Sequence, residues 1–134
     1  MIKDKIGQME QYLEELEMIM PASFKQYDRS LEKKAACERY VEKIVEACVD
    51  LAFIVIKARN MRIPEDDAQA FAILQGAGII DDKLAKRLQN AKGMRNVIAH
   101  QYSRVDDAVV FETISGHLKK DMTDFIRKIQ LKVK

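Results

Sequence analysis

The sequence predicts an all-α protein, an antiparallel up-and-down bundle of about five helices. Three observations carry this expectation. Only five glycines and two prolines interrupt the 134 residues, so long stretches lack the residues that break helices. Apolar residues recur at helical spacing along most of the chain. The connections between those runs are short, which suits helices packed antiparallel against their sequence neighbours.

The first helix is expected from about Ile2 to Met20. Ile2, Ile6, Met9, Leu13, Leu16 and Met20 follow one another at spacings of 4, 3, 4, 3 and 4, which draws one apolar stripe, and Pro21 stops it. Residues 21–28 read as a connector. A long second helix is expected from about Arg29 to Asn60, with Val41, Ile44, Val45, Cys48, Leu51, Ala52 and Val55 inward. Glu38, Glu42, Lys43 and Glu46 lie off that stripe. After a turn over Asn60 to Pro64 comes a short third helix. Pro64 suits its start, and Glu65, Asp66 and Asp67 suit the positive end of its dipole. Phe71, Ile73 and Leu74 form its buried side, and Gly76 and Gly78 end it. A fourth helix is expected to begin at Asp81 or Asp82 and to run through Leu84, Leu88 and Ala91 toward Tyr102. Gly93 is expected to loosen or kink it. A fifth runs from about Asp106 to Val133, with Phe111, Ile114, Leu118, Phe125 and Ile129 inward.

The length fits one domain over residues 1–134, enough to bury roughly two-thirds of the unfolded surface. Charged residues make up 33% and hydrophobic residues 48%, a globular rather than a disordered composition. Cys37 and Cys48 would stand roughly 16 Å apart on a straight helix, too far to bridge. Two buried, reduced thiols in a cytoplasmic protein are expected. No apolar run is long enough to span a bilayer, and the N-terminal residues turn amphipathic at once, unlike a signal peptide. The net charge of +2 is unevenly placed: residues 1–80 hold 11 basic and 14 acidic side chains, residues 81–134 hold 12 and 7. A basic second half is compatible with a phosphate-bearing partner.

Chemistry concentrates in Arg95-Asn96-Val97-Ile98-Ala99-His100-Gln101-Tyr102. With Arg95 at zero on a helical wheel of ~100° per residue, Ala99 falls at about 40°, Ser103 at about 80°, Asn96 at about 100°, His100 at about 140° and Tyr102 at about −20°. Met94, Val97 and Ile98 fall on the opposite arc. One face thus carries a fork of donors matched to phosphate, an amide, an imidazole of a type that moves protons near neutrality and a phenol. These are the parts for cleaving RNA without a metal or other cofactor. A base takes the ribose 2′ proton, the oxygen attacks phosphorus, and a cation stabilises the charge that develops. One chain supplies one copy of each residue. Two chains about a two-fold axis would line one cleft with two Arg95 and two His100, with small Ala99 permitting close approach. The same residues are also compatible with a solvated helix face. His117 reads as a surface residue without a role.

The eight-residue segment matches the R-x4-H-x-Y pattern of HepT-like proteins in the HEPN superfamily, including the asparagine after the arginine. The lead-in through Phe71 to Leu74, Gly78-Ile79-Ile80, Leu84, Leu88 and Gly93-Met94 also resembles that family. The resemblance spans most of the chain. It implies a metal-independent endoribonuclease toxin working from a composite homodimer cleft, with Arg95 and His100 catalytic and Asn96 at a supporting position; Ser103, placed beside them by the wheel alone, is expected to support the site or bind RNA. It further implies a minimal nucleotidyltransferase (MNT) antitoxin as partner, which transfers AMP to Tyr102, and no membrane association. The alternative it leaves open is an inactive HEPN module that docks such a transferase.

Overall fold

The computed structural model describes residues 1–100 and 102–133, with Tyr102 through its backbone alone. Gln101, the Tyr102 side chain and Lys134 therefore lie outside the described residues. Helix α1 (Ile2–Ile19) buries Ile6, Met9, Leu13 and Leu16, the expected stripe. It packs along α3 (Leu31–Ala58), where Tyr12 and Tyr40 meet edge to face at 6.5 Å. The Lys43 ammonium lies over both rings.

The first departure is α2 (Phe24–Arg29), inside the stretch expected to be a connector. Six residues are too few to show a helical period. The legible signal is instead a capping pattern: the Gln26 amide donates to Ser23 Oγ at 3.2 Å, while Gln26 Oε1 accepts from the Ala22 amide at 3.1 Å. Tyr27 anchors the helix in the core. Helix α2 packs across the start of α3, which explains a second departure. Glu38, expected off the buried stripe, is only 8% exposed. Burial pushes its carboxyl upward, and nearby Asp107 and Glu42 add to the shift. A wheel drawn for α3 and the bundle alone cannot foresee the cover that α2 supplies.

Helix α3 keeps Val41, Ile44, Val45, Cys48, Leu51, Ala52 and Val55 inside as expected. Cys37 and Cys48 are free, buried thiols, and burial raises the pKa of both. Asn60, at φ 54°, turns the chain after α3 in the left-handed conformation that asparagine tolerates. Helix α4 (Asp67–Gly76) is capped by Asp66, which accepts from the Gln69 amide at 2.8 Å. Gln69 Oε1 in turn accepts from the Glu65 amide. This reciprocal pair, and not Pro64, sets the start of the helix. At its other end Gly78 takes φ +77°, so the Ile79 amide can close on the Leu74 carbonyl at 3.0 Å.

Helix α5 (Asp82–His100) starts under the Asp81 cap, whose carboxylate accepts from the Leu84 amide. It continues unbroken through Gly93, contrary to the expected loosening. It stops at His100, and a 3-10 turn follows at Tyr102–Arg104. The last rod comprises α6 (Asp107–Glu112), capped by Asp106, a π-helical turn at Thr113–His117 and α7 (Leu118–Lys132). The wider turn lets Ile114 and Leu118 both stay buried. Among the described residues there are no strands.

Helix α3 runs through the core and touches α1, α2, α4 and α5, while α7 lies against α5 and α1. Two contacts with α7 set the positions of α4 and α5. Phe71 of α4 meets Phe125 of α7 edge to face at 6.2 Å, both fully buried. Arg87 of α5 donates to Asp121 at 2.8 Å and to Asp124 at 2.9 Å, tying α5 to α7. Burial works against the charge on Asp124, but hydrogen bonds from Arg87 and Lys120 outweigh it and hold its carboxyl below the ordinary carboxylate range. Because Phe71 is 0% exposed, Phe71→Ala is expected to cost about 3–5 kcal/mol of unfolding free energy. Urea denaturation checks this, and a loss under about 1 kcal/mol would mean that α4 is not held by its core face.

Candidate functional site

The last turns of α5 present the candidate residues on an unbroken helix, so the helical wheel holds as far as His100. Ile98 is buried and Met94 and Val97 are half-buried on the inward arc. On the other arc Ala99 and His100 are exposed, while Arg95 and Asn96 are half-buried. Ser103 is exposed as expected, but it stands in the 3-10 turn. Its angular position no longer follows from α-helical geometry. The last turns of α5 thus carry Arg95 and Asn96 half-buried and His100 exposed, about 140° apart for Arg95 and His100, and Ser103 stands just beyond the helix. The expected modification of Tyr102 concerns a side chain outside the described residues.

Arg95 and His100 differ sharply in their surroundings. His100 has no side-chain hydrogen bond or ion pair among the described residues, and Asn96 does not bond to it there. Arg95 is held. Its side chain is 16% exposed, and Nη2 donates to Asp67 Oδ2 at 3.1 Å. Nη1 lies 3.9 Å from Glu46 Oε1. Nε is buried and has no hydrogen-bond partner among the described residues. The guanidinium is therefore fixed from α3 and α4, while the imidazole at the helix end is open to solvent.

Three residues of this environment do not stand out in the sequence. Asp67 is legible there only as an acid suited to a helix start, and Glu46 only as an off-stripe residue of the long helix. Their convergence on Arg95 depends on how α4 and α3 pack against α5. Lys92 is legible in principle, because it precedes Arg95 by three residues and falls at about 60° on the same wheel. It is half-buried, and among the described residues no carboxylate lies within salt-bridge distance of it. It adds a cation beside an arginine whose own charge is largely offset.

On the far side of α5, a groove of about 550 Å³ opens toward α6 and the π-helical turn, with Met94, Val97, Val105, Val109, Arg104 and His117 along it. His117 is exposed, with Glu112 at 3.8 Å. Among the described residues no three His, Cys, Asp or Glu side chains cluster as a metal site requires. No helix among them is long and apolar enough to cross a membrane.

Comparison with known proteins defines the class. The family profile described as ribonuclease HepT-like matches residues 9–129. This chain belongs to the HepT-like family. A protein of Archaeoglobus fulgidus is 30% identical over 124 residues, spanning 90% of this chain and 92% of its own length. The mRNA nuclease HepT of Shewanella oneidensis is 27% identical over 90 residues, 67% of each chain. The tRNA nuclease HepT of Aphanizomenon flos-aquae is 26% identical over 119 residues, 89% of this chain and 81% of its own. Among solved structures, the tri-AMPylated Shewanella oneidensis HEPN toxin in complex with MNT antitoxin superposes with a TM-score of 0.90. The two are 21% identical, and the match covers 98% of this chain and 97% of that one. That likeness establishes a shared HEPN fold.

Gly93 is exposed on α5, and a Cβ added there would meet nothing within 4 Å. Gly93→Ala is therefore expected to stabilise the fold by about 0.5–1 kcal/mol. Thermal unfolding checks this, and a lowered midpoint would show that the helix needs the freedom of glycine after all.

Proposed function

We propose that this chain is a metal-independent endoribonuclease toxin that works as a homodimer and is silenced by a minimal nucleotidyltransferase antitoxin. One observation carries the reading: the last turns of α5 hold Arg95 against Asp67 and Glu46 and, five residues on, expose His100 with no side-chain partner among the described residues. A fixed guanidinium stabilises charge that develops on a phosphate without reorganising during the reaction. A solvent-open imidazole can approach a ribose hydroxyl and take its proton.

In the proposed reaction His100 of one protomer removes the 2′ proton. The 2′ oxygen attacks phosphorus, the bond to the 5′ oxygen breaks, and His100 of the partner subunit protonates the leaving oxygen. Arg95 donates to the phosphoryl oxygens as their charge grows, and Asn96 supports the bound phosphate. Lys92 offers a further cation along the RNA backbone. Ser103 lies just beyond the helix, where a hydroxyl can contact ribose or phosphate. Exposed Ala99 leaves room for two such helices to approach about a two-fold axis.

Silencing follows from the same chemistry. The antitoxin joins the Tyr102 oxygen to the α-phosphorus of ATP and releases pyrophosphate. The added phosphates and bases would repel and obstruct RNA at the cleft. The AMPylated state of the Shewanella oneidensis HEPN toxin and the nuclease names of the HepT relatives support this reading.

The test is purified protein, free of any partner, incubated with total RNA in EDTA beside His100→Ala. Wild type is expected to cleave, and the variant to lose at least about 100-fold of the rate, the scale of general acid–base catalysis. Equal cleavage by both would remove His100 from the mechanism. No cleavage by wild type, in a sample whose intact mass shows no added AMP, would favour a docking module instead.

A further inference from the structure

Arg95 raises a question that its own chemistry does not answer. An arginine side chain has many rotamers, and a phosphate ligand needs its fork in one of them. Asp67 and Glu46 fix the guanidinium from within the fold. Its Nε is buried and has no partner among the described residues, and a buried donor of that kind adds nothing to stability that an apolar side chain would not.

The agent that fixes it is identifiable. Asp67 makes the hydrogen-bonded contact at 3.1 Å, whereas Glu46 stays at 3.9 Å without one. Asp67 is itself anchored. It is the first residue of α4, directly after the Asp66 cap. The adjacent carbonyl, that of Ala68, accepts from Gln89 Nε2 at 2.9 Å. Gln89 belongs to α5, as Arg95 does. The start of α4 is therefore bound twice to one helix, once through the backbone by Gln89 and once through a side chain by Arg95. From the buried side, Phe71 holds the same short helix against α7.

Resting on the ribonuclease reading, we propose that Asp67 is a positioning residue. It grips Arg95 Nη2 from behind, so that the outward N–H groups face the scissile phosphate in one orientation. Asp67 touches no substrate. It acts by removing the rotamer search that Arg95 would otherwise make in every turnover.

Steady-state cleavage by Asp67→Ala, Asp67→Asn and Glu65→Ala tests this, alongside thermal unfolding. Glu65→Ala removes an acid from the same helix end without touching Arg95. Asp67→Ala is expected to lower kcat by roughly 10- to 100-fold, the scale of a misplaced catalytic group, with KM for RNA changed by less than about threefold. Asp67→Asn keeps an acceptor oxygen and should recover part of that loss, and Glu65→Ala should stay near wild type. A kcat for Asp67→Ala within twofold of wild type would overturn the proposal, as would an equal loss in Glu65→Ala. A second readout does not depend on cleavage. In 15N spectra, Arg95 should show separate, slowly exchanging Nη signals in wild type and one averaged signal in Asp67→Ala. If no RNA is cut, the ribonuclease reading fails alone and these signals still decide. Averaging in both proteins would show that Asp67 holds nothing.

Discussion

Everything at the candidate site depends on α5 being held straight and in register from two sides. Arg87 binds it to Asp121 and Asp124 of α7. About half a turn later Gln89, and just over two turns later Arg95, bind it to the first residues of α4. Arg95 and His100 are five residues apart, roughly 7.5 Å along the axis and about 140° around it. They keep that relative placement only while the helix is regular. A kink at Gly93 would swing the end of the helix away from α4 and separate the held arginine from the carboxylate that holds it. The polar clamps are only partly exposed, so they resist screening better than surface pairs do.

Much of this is legible from residue order. The apolar stripes of α1, α3 and α7 follow the 3.6-residue period, and Asp81, Asp106 and Gly78 mark helix boundaries with ordinary capping chemistry. What escapes are effects of one element on another. The short helix α2 has no period of its own, and by covering the start of α3 it buries Glu38, which the α3 wheel places off the stripe. Gly93 invites a break by local propensity, yet the packing of Ala91 and Ile98 on either side keeps the backbone helical. The relative placement of Arg95, Asn96 and His100 is readable because one helix carries all three. The grip of Asp67 on Arg95 is not, because 28 residues of chain separate the partners.

Helical bundles host many activities, so the fold alone assigns none. Membership of the HepT-like family narrows the class, and the local surroundings of the residues differ in ways that fit the distinct tasks proposed for them. Arg95 is fixed and mostly covered, which suits electrostatic stabilisation. His100 is exposed and has no side-chain partner among the described residues, which would suit proton transfer. One protomer carries a single histidine at this helix end, while in-line transfer calls for both a base and an acid. That arithmetic is the physical reason for proposing a two-fold site.

The central claim is the nucleophile: the ribose 2′ oxygen, activated by His100. The most direct measurement is the chemistry of the product ends, using a short RNA cut by the purified protein and the same RNA with a 2′-deoxy sugar at the cut position. The account predicts a 2′,3′-cyclic phosphate on one fragment, a 5′-hydroxyl on the other, and no cleavage of the deoxy substrate. A 5′-phosphate and 3′-hydroxyl, with the deoxy substrate cut as well, would contradict it and make water the nucleophile.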